Sequence, residues 1–296
     1  MGPRPKPRGR RKIVQGGTIV PLIAMNREMG SLGKDVAAGL EQVLGMKVRY
    51  HEMIDHLANR ARLRKSHVIS FLEGKQGLLE RLTTDQLTLR ILTADEILSI
   101  AASGEPVILR GWGASSLLKE VPHAVRVCIS ASRRTRVKRM MERLDTNDQA
   151  KIERIVEHND EAERAVMRRH FHIDAHDINE YDMGFNTDRV SVNQCVDEIV
   201  KLVKSGEFAE TEDSQRRLRD VATAHHVRAA IRTHGTTSHC KVRVTASDGR
   251  VSLEGVVDRI EQSEACSDIA SRLKGVRVIE NHLNVAEVPV RMRGDG

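Results

Sequence analysis

The chain of 296 residues is poor in aromatic residues and cysteines, and it has no long apolar run. Aromatic residues make up 2% of it, so stacking platforms for single-stranded nucleic acid are mostly absent. No apolar run approaches the roughly 20 residues of a membrane-spanning helix. The cysteines form no CxxC pair, which argues against a zinc site or a disulfide framework and favours small core residues in a reducing compartment. They are Cys128, Cys195, Cys240 and Cys266.

The first twelve residues lack both acids and an apolar core, and they carry six Lys or Arg residues. Because no apolar segment follows these charges, we expect no signal peptide and a cytoplasmic protein. We predict that residues 1–15 form a basic disordered tail, which is either simply solvated or touches nucleic acid or anionic lipid. The net charge is +7, and no specific nucleic-acid partner is expected.

Apolar segments alternate with helical patterns through residues 16–205. This alternation predicts an α/β domain in which a parallel sheet is covered by helices on both faces. The predicted strands are Ile19–Ala24, Lys47–Tyr50, Val107–Arg110, Val125–Ile129 and Asp182–Asn186. The predicted helices are Lys34–Leu44, Met53–Ala61, Thr84–Ala102, Arg134–Leu144, Asp148–Arg169 and Val192–Val203.

A polar, acidic stretch at 206–214 predicts a linker to a smaller α+β domain at 215–290, with a tail at 291–296. Within this domain, Asp248 and Gly249 favour a hairpin turn between two strands. The other predicted elements are the helix Gln215–Thr233, a strand from Lys241, a strand from Arg250, the helix Arg259–Leu273 and the strand Val276–Val285.

A glycine-bearing turn lies between the first predicted strand and the first predicted helix. Its backbone N–H groups and the helix N-terminus would face an anion, and Lys34 would reach the outer phosphates of a nucleotide. Two residues depart from the usual GxxxxGK[ST] pattern, since Glu28 replaces the first glycine and Asp35 replaces the Mg²⁺-binding hydroxyl. An ordinary strand-turn-helix connection is the alternative. The candidate cofactor-binding residues are Arg27, Gly30, Ser31, Gly33, Lys34 and Asp35.

Arginines cluster on the two predicted helices that follow the fourth strand. Arg136 and Arg139 are three residues apart, and Arg164 and Arg168 are four apart, so each pair shares a helix face. Cations on a closing lid would stabilise the charge that phosphoryl transfer spreads over the transferred group. The alternative is a solvated basic face paired with nearby acids. The other arginines are Arg133, Arg134 and Arg169, and the acids are Glu153, Glu157, Glu161 and Glu163.

The segment from His170 to Asp177 alternates imidazoles with carboxylates, a pattern that can bind a metal. It also fits a polar loop close to the lid. We favour the loop and predict no metal site.

Residues 18 to about 205 resemble the cytidylate kinase-like family, a branch of the P-loop nucleoside monophosphate kinases. The turn carries the family's Arg-Glu-x-Gly-Ser-x-Gly pattern, with Lys34 where many members have arginine and the family's acidic residue at Asp35. Arg136 and Arg139 fall on the family's arginines. Further matches are Gly111, Gly113, Ala114, Pro122, Phe171, Asp174, Asp177, Tyr181, Asp182, Asn186 and Thr187.

Two departures from the family lie on the acceptor side of the resemblance. Trp112 replaces the arginine that the family has between two glycines, and His51 follows Tyr50 where the family commonly has aspartate. The resemblance therefore leaves the acceptor open.

Residues 214–290 resemble a BON domain, a small α/β module associated with phospholipid or protein contacts. The matching residues are Asp248, Gly249, Val251, Leu253, Gly255, Val257, Ala265, Ala270, Gly275, Val276, Val278, Asn281, Leu283 and Val285.

The resemblance implies ATP-dependent phosphoryl transfer to CMP, dCMP or a related small phosphate acceptor, with ATP and Mg²⁺ as cofactors. The alternative is a catalytically weak or inactive nucleotide-binding regulator whose BON-like domain docks on a membrane or a protein. The implied catalytic residues are Lys34, Arg136, Arg139, Arg164 and Arg168. The implied substrate-binding residues are Tyr50, His51, Arg110, Gly111, Trp112, Gly113 and Asp182.

Overall fold

A five-stranded, all-parallel sheet organises the first domain, with the strand order β2-β3-β1-β4-β5. The computed structural model describes residues 21–49, 51–73, 85–111, 113–171 and 173–286, and it gives only the backbone of His51 and Glu52. The strands are β1 (Leu22–Arg27), β2 (Lys47–Arg49), β3 (Val107–Arg110), β4 (Ala124–Ser130) and β5 (Met183–Asn186). The predicted parallel sheet is confirmed. β1 ends at Arg27 rather than Ala24, which carries the Arg27 side chain to the carboxyl edge.

The helices cover both faces of this sheet, as predicted. They are α1 (Gly33–Leu44), α2 (His51–Ala61), α3 (Lys65–Leu72), α4 (Gln86–Ala101), α5 (Ala114–Leu117), α6 (Arg133–Arg143), α7 (Gln149–Val166) and α8 (Val192–Val203). The sequence patterns did not predict α3 or α5. The predicted helix Asp148–Arg169 is divided, because α7 ends at Val166 and a wider π turn follows at Met167–Phe171.

The central strand β1 separates two apolar cores. Successive side chains of a strand point to opposite faces. Leu22 and Ala24 therefore pack with α2, α3 and α4, whereas Ile23 and Met25 pack with α1 and α8. All four side chains are almost fully buried. Burial on both faces explains why β1 is continuously apolar, and it fixes the loop that follows on a rigid strand.

One long helix, α9 (Glu212–Thr233), joins the two domains. Thr211 caps it by accepting a hydrogen bond from the Ser214 N–H, so the helix begins inside the segment predicted as a linker. Leu218 and Ala229 pack into the core formed by α2, α3 and α4. The other side of the helix supplies Val227 and Ile231 to the core of the second domain. The helix is therefore shared by both domains.

The second domain is a three-stranded mixed sheet with the order β6-β7-β8. β6 (Lys241–Ser247) is antiparallel to β7 (Arg250–Val257), and β8 (Val278–Val285) is parallel to β7. The predicted Asp-Gly hairpin turn is confirmed, since Asp248 and Gly249 have φ angles of 47° and 76°. α10 (Ile260–Ser271) makes the crossover to β8. Among the described residues, none of the helices has the length and apolarity that a membrane crossing requires.

Candidate functional site

The turn from Glu28 to Leu32 joins β1 to α1 at the carboxyl edge of the sheet. Gly30 and Leu32 take left-handed φ angles of 80° and 62°. The N–H groups of Gly30, Leu32, Gly33 and Lys34 donate to no acceptor within the described part of the chain. A curved row of unpaired N–H groups at a helix start can receive an anion, and anion binding at this turn stays a prediction.

Two glycines of this turn are required by close packing. A Cβ atom on Gly30 would lie 2.8 Å from the Arg136 carbonyl oxygen. A Cβ atom on Gly33 would lie 2.6 Å from the Arg27 Cβ. Ser31 is fully buried, and its carbonyl accepts a 2.9 Å hydrogen bond from the Thr187 hydroxyl. Packing and the Thr187 hydrogen bond thus hold the turn in place, while the N–H groups of Gly30, Leu32, Gly33 and Lys34 have no acceptor among the described residues.

Lys34 lies among cations. Its pKa is lowered first by partial burial and then by Arg27, Arg143 and Arg110, and only Asp35 raises it. Lys34 forms no hydrogen bond or ion pair with the described residues. Positive groups held this close together repel one another, so a bound anion would stabilise the cluster. Arg143 was not singled out from the sequence, because it lies on α6, more than 100 residues from Lys34.

Arg136 is only 4% exposed, and its contacts are structural. Its terminal nitrogens donate hydrogen bonds of 2.9 and 2.7 Å to Asp160, and its Nε lies 3.4 Å from Glu28. The same guanidinium also donates to the carbonyls of Met29 and Ala131. These contacts join the turn, α6 and α7.

Arg139 holds the turn from the opposite side. It donates a 3.3 Å hydrogen bond to the Gly30 carbonyl and bonds of 2.7 and 2.9 Å to the carbonyl and hydroxyl of Thr187. Thr187 also donates to Ser31. These hydrogen bonds occupy the carbonyls of Gly30 and Ser31 and hold the turn against α6 and Thr187.

The other two predicted catalytic arginines lie apart from these. Arg164 donates to the Asp160 carbonyl and lines a small cavity beside Glu28 and Glu163. Arg168 is exposed in the π turn. That turn changes the helical phase, so the one-turn spacing expected from a continuous α-helix does not hold between them.

The acceptor-side predictions are only partly within the described residues. Tyr50 and Trp112 lie outside them, and the side chain of His51 is not described. Arg110 and Gly111 lie at the carboxyl end of β3, and the Gly111 N–H donates a 2.8 Å bond to the Met25 carbonyl.

Gly113 and Asp182 have different surroundings. Gly113 lies under Phe171, where a Cβ atom would meet the ring at 2.5 Å. Asp182 lies just before β5 and pairs with Arg126 at 2.7 Å, so the structure does not bring it to the turn.

The described residues of the polar segment 170–177 form no metal cluster with the described part of the chain. Within the described ranges, which omit His172, no three His, Cys, Asp or Glu side chains are placed to hold a metal ion. Asp177 instead caps a short 3-10 helix by accepting a 2.9 Å hydrogen bond from the Asn179 N–H. His176 lies 4.0 Å from Glu28.

Glu163 is a functional candidate that the sequence reasoning missed. Burial raises its pKa to about 7, with Asp160 and Glu28 adding to the effect and Arg27 and Asn26 opposing it. These neighbours come from β1, the turn and α7, so no local pattern could have revealed it. A carboxyl group with a pKa near neutrality can exchange a proton beside the turn.

A cleft of about 480 Å³ opens between Met29 and α7. Lys151, Arg154 and His158 line it, and their spacing places them on one helix face. The sequence could have shown this face, since the residues recur at intervals of three and four. The cleft brings two further cationic side chains, Lys151 and Arg154, next to the turn.

Residues 22–189 match the cytidylate kinase-like family, and residues 219–287 match the BON domain. The first match covers more than half of the chain and includes the turn, α6 and α7. No curated protein matches the chain.

Solved structures with similarity to the chain come from several kinds of protein. An uncharacterized protein from Eubacterium ventriosum shows 20% identity and a TM-score of 0.49 over 62% of this chain and 99% of that chain. Shikimate kinase from Bacteroides thetaiotaomicron shows 14% identity and a TM-score of 0.39 over 62% and 99% of the two chains. Deoxyadenosine kinase from M. mycoides with bound dATP shows 10% identity and a TM-score of 0.36 over 62% and 99%. With identities of 10–20% and TM-scores below 0.5, these similarities carry no conclusion about this chain.

Proposed function

The chain belongs to the cytidylate kinase-like family, and on that premise we propose that it transfers a phosphoryl group from ATP to CMP, dCMP or a related small phosphate acceptor. Its first domain is a kinase-like, nucleotide-binding fold. The observation that carries the proposal is the set of open N–H groups of Gly30, Leu32, Gly33 and Lys34 beside a lysine whose pKa three nearby arginines lower. This arrangement fits a polyphosphate.

In the proposed mechanism, the N–H groups of the turn hold the β-phosphate of ATP, and Lys34 reaches the outer phosphates. Arg27, Arg110 and Arg143 add positive charge around Lys34. Asp35 fits Mg²⁺, because this exposed carboxylate follows Lys34 directly and Mg²⁺ commonly takes one or two carboxylates together with phosphate oxygens. The bound ion would neutralise phosphate charge during transfer.

We assign the five predicted catalytic residues to two tasks. Lys34, Arg164 and Arg168 act on phosphate charge, together with the cationic face of α7 that faces Met29. Arg136 and Arg139 are positioning residues, because their guanidinium groups are occupied by Asp160, Thr187 and backbone carbonyls. Phosphoryl transfer depends mainly on positioning and charge, so a rigid turn contributes directly to the rate.

For the acceptor, we propose a position beside Arg110 and Gly111, at the carboxyl ends of β1 and β3. Ligands of open parallel sheets bind at this edge. Arg110 would pair with the phosphate of the acceptor, and Tyr50, His51, Trp112 and Gly113 would form the rest of its site. Asp182 is left out of this assignment, because it pairs with Arg126.

The second candidate function is a nucleotide-binding regulator whose BON domain contacts phospholipid or protein. The observation that favours it is α9, which packs its two sides into the cores of both domains. A change at the nucleotide site could therefore reach the second domain through packed contacts.

Turnover separates the two functions. The protein is incubated with ATP, Mg²⁺ and each of CMP, dCMP, UMP and AMP, and ADP release is followed. We expect ADP release with a cytidine nucleotide as acceptor. We expect Lys34→Ala to lose both ADP release and ATP binding. Lys204→Ala is the matched control, because Lys204 is an exposed lysine at the end of α8. ATP binding without turnover on any acceptor would reject the kinase and favour the regulator. ATP binding that survives in Lys34→Ala would reject the assignment of the turn.

A further inference from the structure

A second cleft lies away from the phosphate-binding turn, where α4 of the first domain meets α9 and β6 of the second. Its volume is about 390 Å³, within the range of small-molecule sites. Its walls are partly apolar, formed by Leu87, Ile91, Ile231, Val242 and Val244. Neither domain forms this cleft alone.

Cations dominate the polar part of this interdomain cleft. Its cationic lining residues are Arg90, Arg228, Arg232, Lys241 and Arg243. Two acids lie near them. Asp85 accepts a 2.8 Å hydrogen bond from Arg232, and Glu254 is opposite Arg243 in the β6–β7 register. The positive charges therefore outnumber the negative ones.

Two of these arginines have no acceptor among the residues that the structure describes. Within the residues that the structure describes, Arg90 and Arg228 make neither an ion pair nor a side-chain hydrogen bond. Both are partly buried. The pKa of Arg228 is lowered by burial and then by Arg90 and Arg232, with no acid opposing the shift. Half-buried guanidinium groups that repel one another lose free energy unless an anion joins them.

We propose that the interdomain cleft binds a phosphorylated ligand with an apolar portion, its phosphate between Arg90 and Arg228 and its apolar portion against Leu87, Ile91 and Val244. Guanidinium forks match phosphate oxygens in geometry and charge. The apolar walls add burial that inorganic phosphate could not use. The ligand is either a soluble phosphorylated molecule or a single lipid with a phosphate headgroup.

The binding test uses the full chain with Lys34→Ala, so that the phosphate-binding turn does not contribute. Calorimetry follows two soluble probes, inorganic pyrophosphate and dihexanoyl phosphatidic acid below its micelle concentration. Arg90→Gln/Arg228→Gln removes the two unpaired guanidinium groups. Arg219→Gln/Arg272→Gln is the matched control, because it removes the same charge from exposed positions on α9 and at the end of α10.

We expect saturable binding of the phosphatidic acid. Its affinity should fall at least about tenfold in Arg90→Gln/Arg228→Gln, because charge-assisted hydrogen bonds are lost. In the control variant its affinity should stay within twofold. Equal affinity for pyrophosphate would overturn the apolar half of the proposal, because pyrophosphate has no apolar portion to pack against Leu87, Ile91 and Val244. A preference for the phosphatidic acid would identify a lipid.

Leu87→Trp provides a variant that keeps every charge. It fills the cleft from its exposed rim, and we expect it to weaken binding as well. If circular dichroism shows that Arg90→Gln/Arg228→Gln does not fold, Leu87→Trp is used in its place. The proposal is overturned if neither soluble probe binds at millimolar concentration, or if the control loses as much affinity as the cleft variants. Pelleting with vesicles of phosphatidylcholine and phosphatidylglycerol without binding of either soluble probe would also overturn it.

Discussion

Arg136 binds Asp160 through both terminal nitrogens of its guanidinium, at 2.9 and 2.7 Å. The pair is almost completely buried, with side-chain exposures of 5% and 12%. It connects α6 to α7, and the same guanidinium reaches the turn through Glu28 and the Met29 carbonyl. An arginine that the sequence assigned to phosphate charge thus holds the site together.

Asp160→Asn should therefore destabilise the fold by about 3 kcal/mol, because it removes the carboxylate that binds both terminal nitrogens of a buried guanidinium and leaves only the longer contact to Glu28. Urea unfolding measures this loss. Glu157→Gln is the matched control, since Glu157 pairs with Arg133 between the same two helices but both side chains are about half exposed. It should cost less than about 1 kcal/mol. Equal losses in the two variants would show that the Arg136–Asp160 pair has no special structural role.

Arg143→Gln should weaken ATP binding roughly five- to tenfold, since it removes one charged contact from the cluster around Lys34. Its side chain is exposed, so the unfolding midpoint should not change. Fluorescence or calorimetric titration with ATP gives the affinity. Arg134→Gln, an exposed arginine at the other end of α6, should leave ATP binding unchanged. A similar effect in both variants would point to net charge rather than to a site.

Gly113→Ala should lower stability more than Gly111→Ala. Both glycines have left-handed φ angles, of 76° and 80°, so both substitutions cost about 1 kcal/mol or more in backbone strain. Only at Gly113 would the new Cβ atom meet the Phe171 ring, at 2.5 Å, whereas space is open at Gly111. Thermal unfolding compares the two variants. Adding Phe171→Ala to Gly113→Ala should remove the steric part of the difference, and no gain from it would refute the contact.

His225 should make the protein acid-sensitive. Burial, with Arg228 adding and Asp95 opposing, lowers its pKa from 6.5 to about 4. Above pH 6.5 the imidazole is neutral in both the folded and unfolded states, and its effect on stability is constant. As the pH falls from 6.5 to 4, the unfolded chain takes up the proton first, so the free energy of unfolding decreases by up to about 3 kcal/mol.

His225→Gln should remove this decrease, measured by urea unfolding at a series of pH values. His226 acts in the opposite sense, because its hydrogen bond to Asp95 raises its pKa and stabilises the fold at low pH. Because both wild type and His225→Gln contain His226, its contribution cancels when their pH profiles are compared. His239→Gln, at an exposed position, should keep the wild-type profile. An unchanged pH profile in His225→Gln would contradict the assignment.

Local sequence patterns predicted most of the fold. The alternation of apolar strands and amphipathic helices gave the parallel sheet, and Asp248-Gly249 gave the hairpin, because periodicity and turn chemistry are properties of neighbouring residues. The patterns missed α3 and α5, and they continued α7 through a π turn that the chain spacing does not reveal.

The sequence by itself determined the turn for which we propose phosphate binding, because its glycines and Lys34 lie within a few positions of one another between β1 and α1. The tertiary structure decided what surrounds it. In the folded protein Arg136 and Arg139 hold the turn, because their guanidinium groups donate hydrogen bonds to Asp160 and Thr187. Arg143 and Glu163 gained their electrostatic roles from groups far away in the chain. Burial and charge depend on spatial neighbours, and only folding brings those neighbours together.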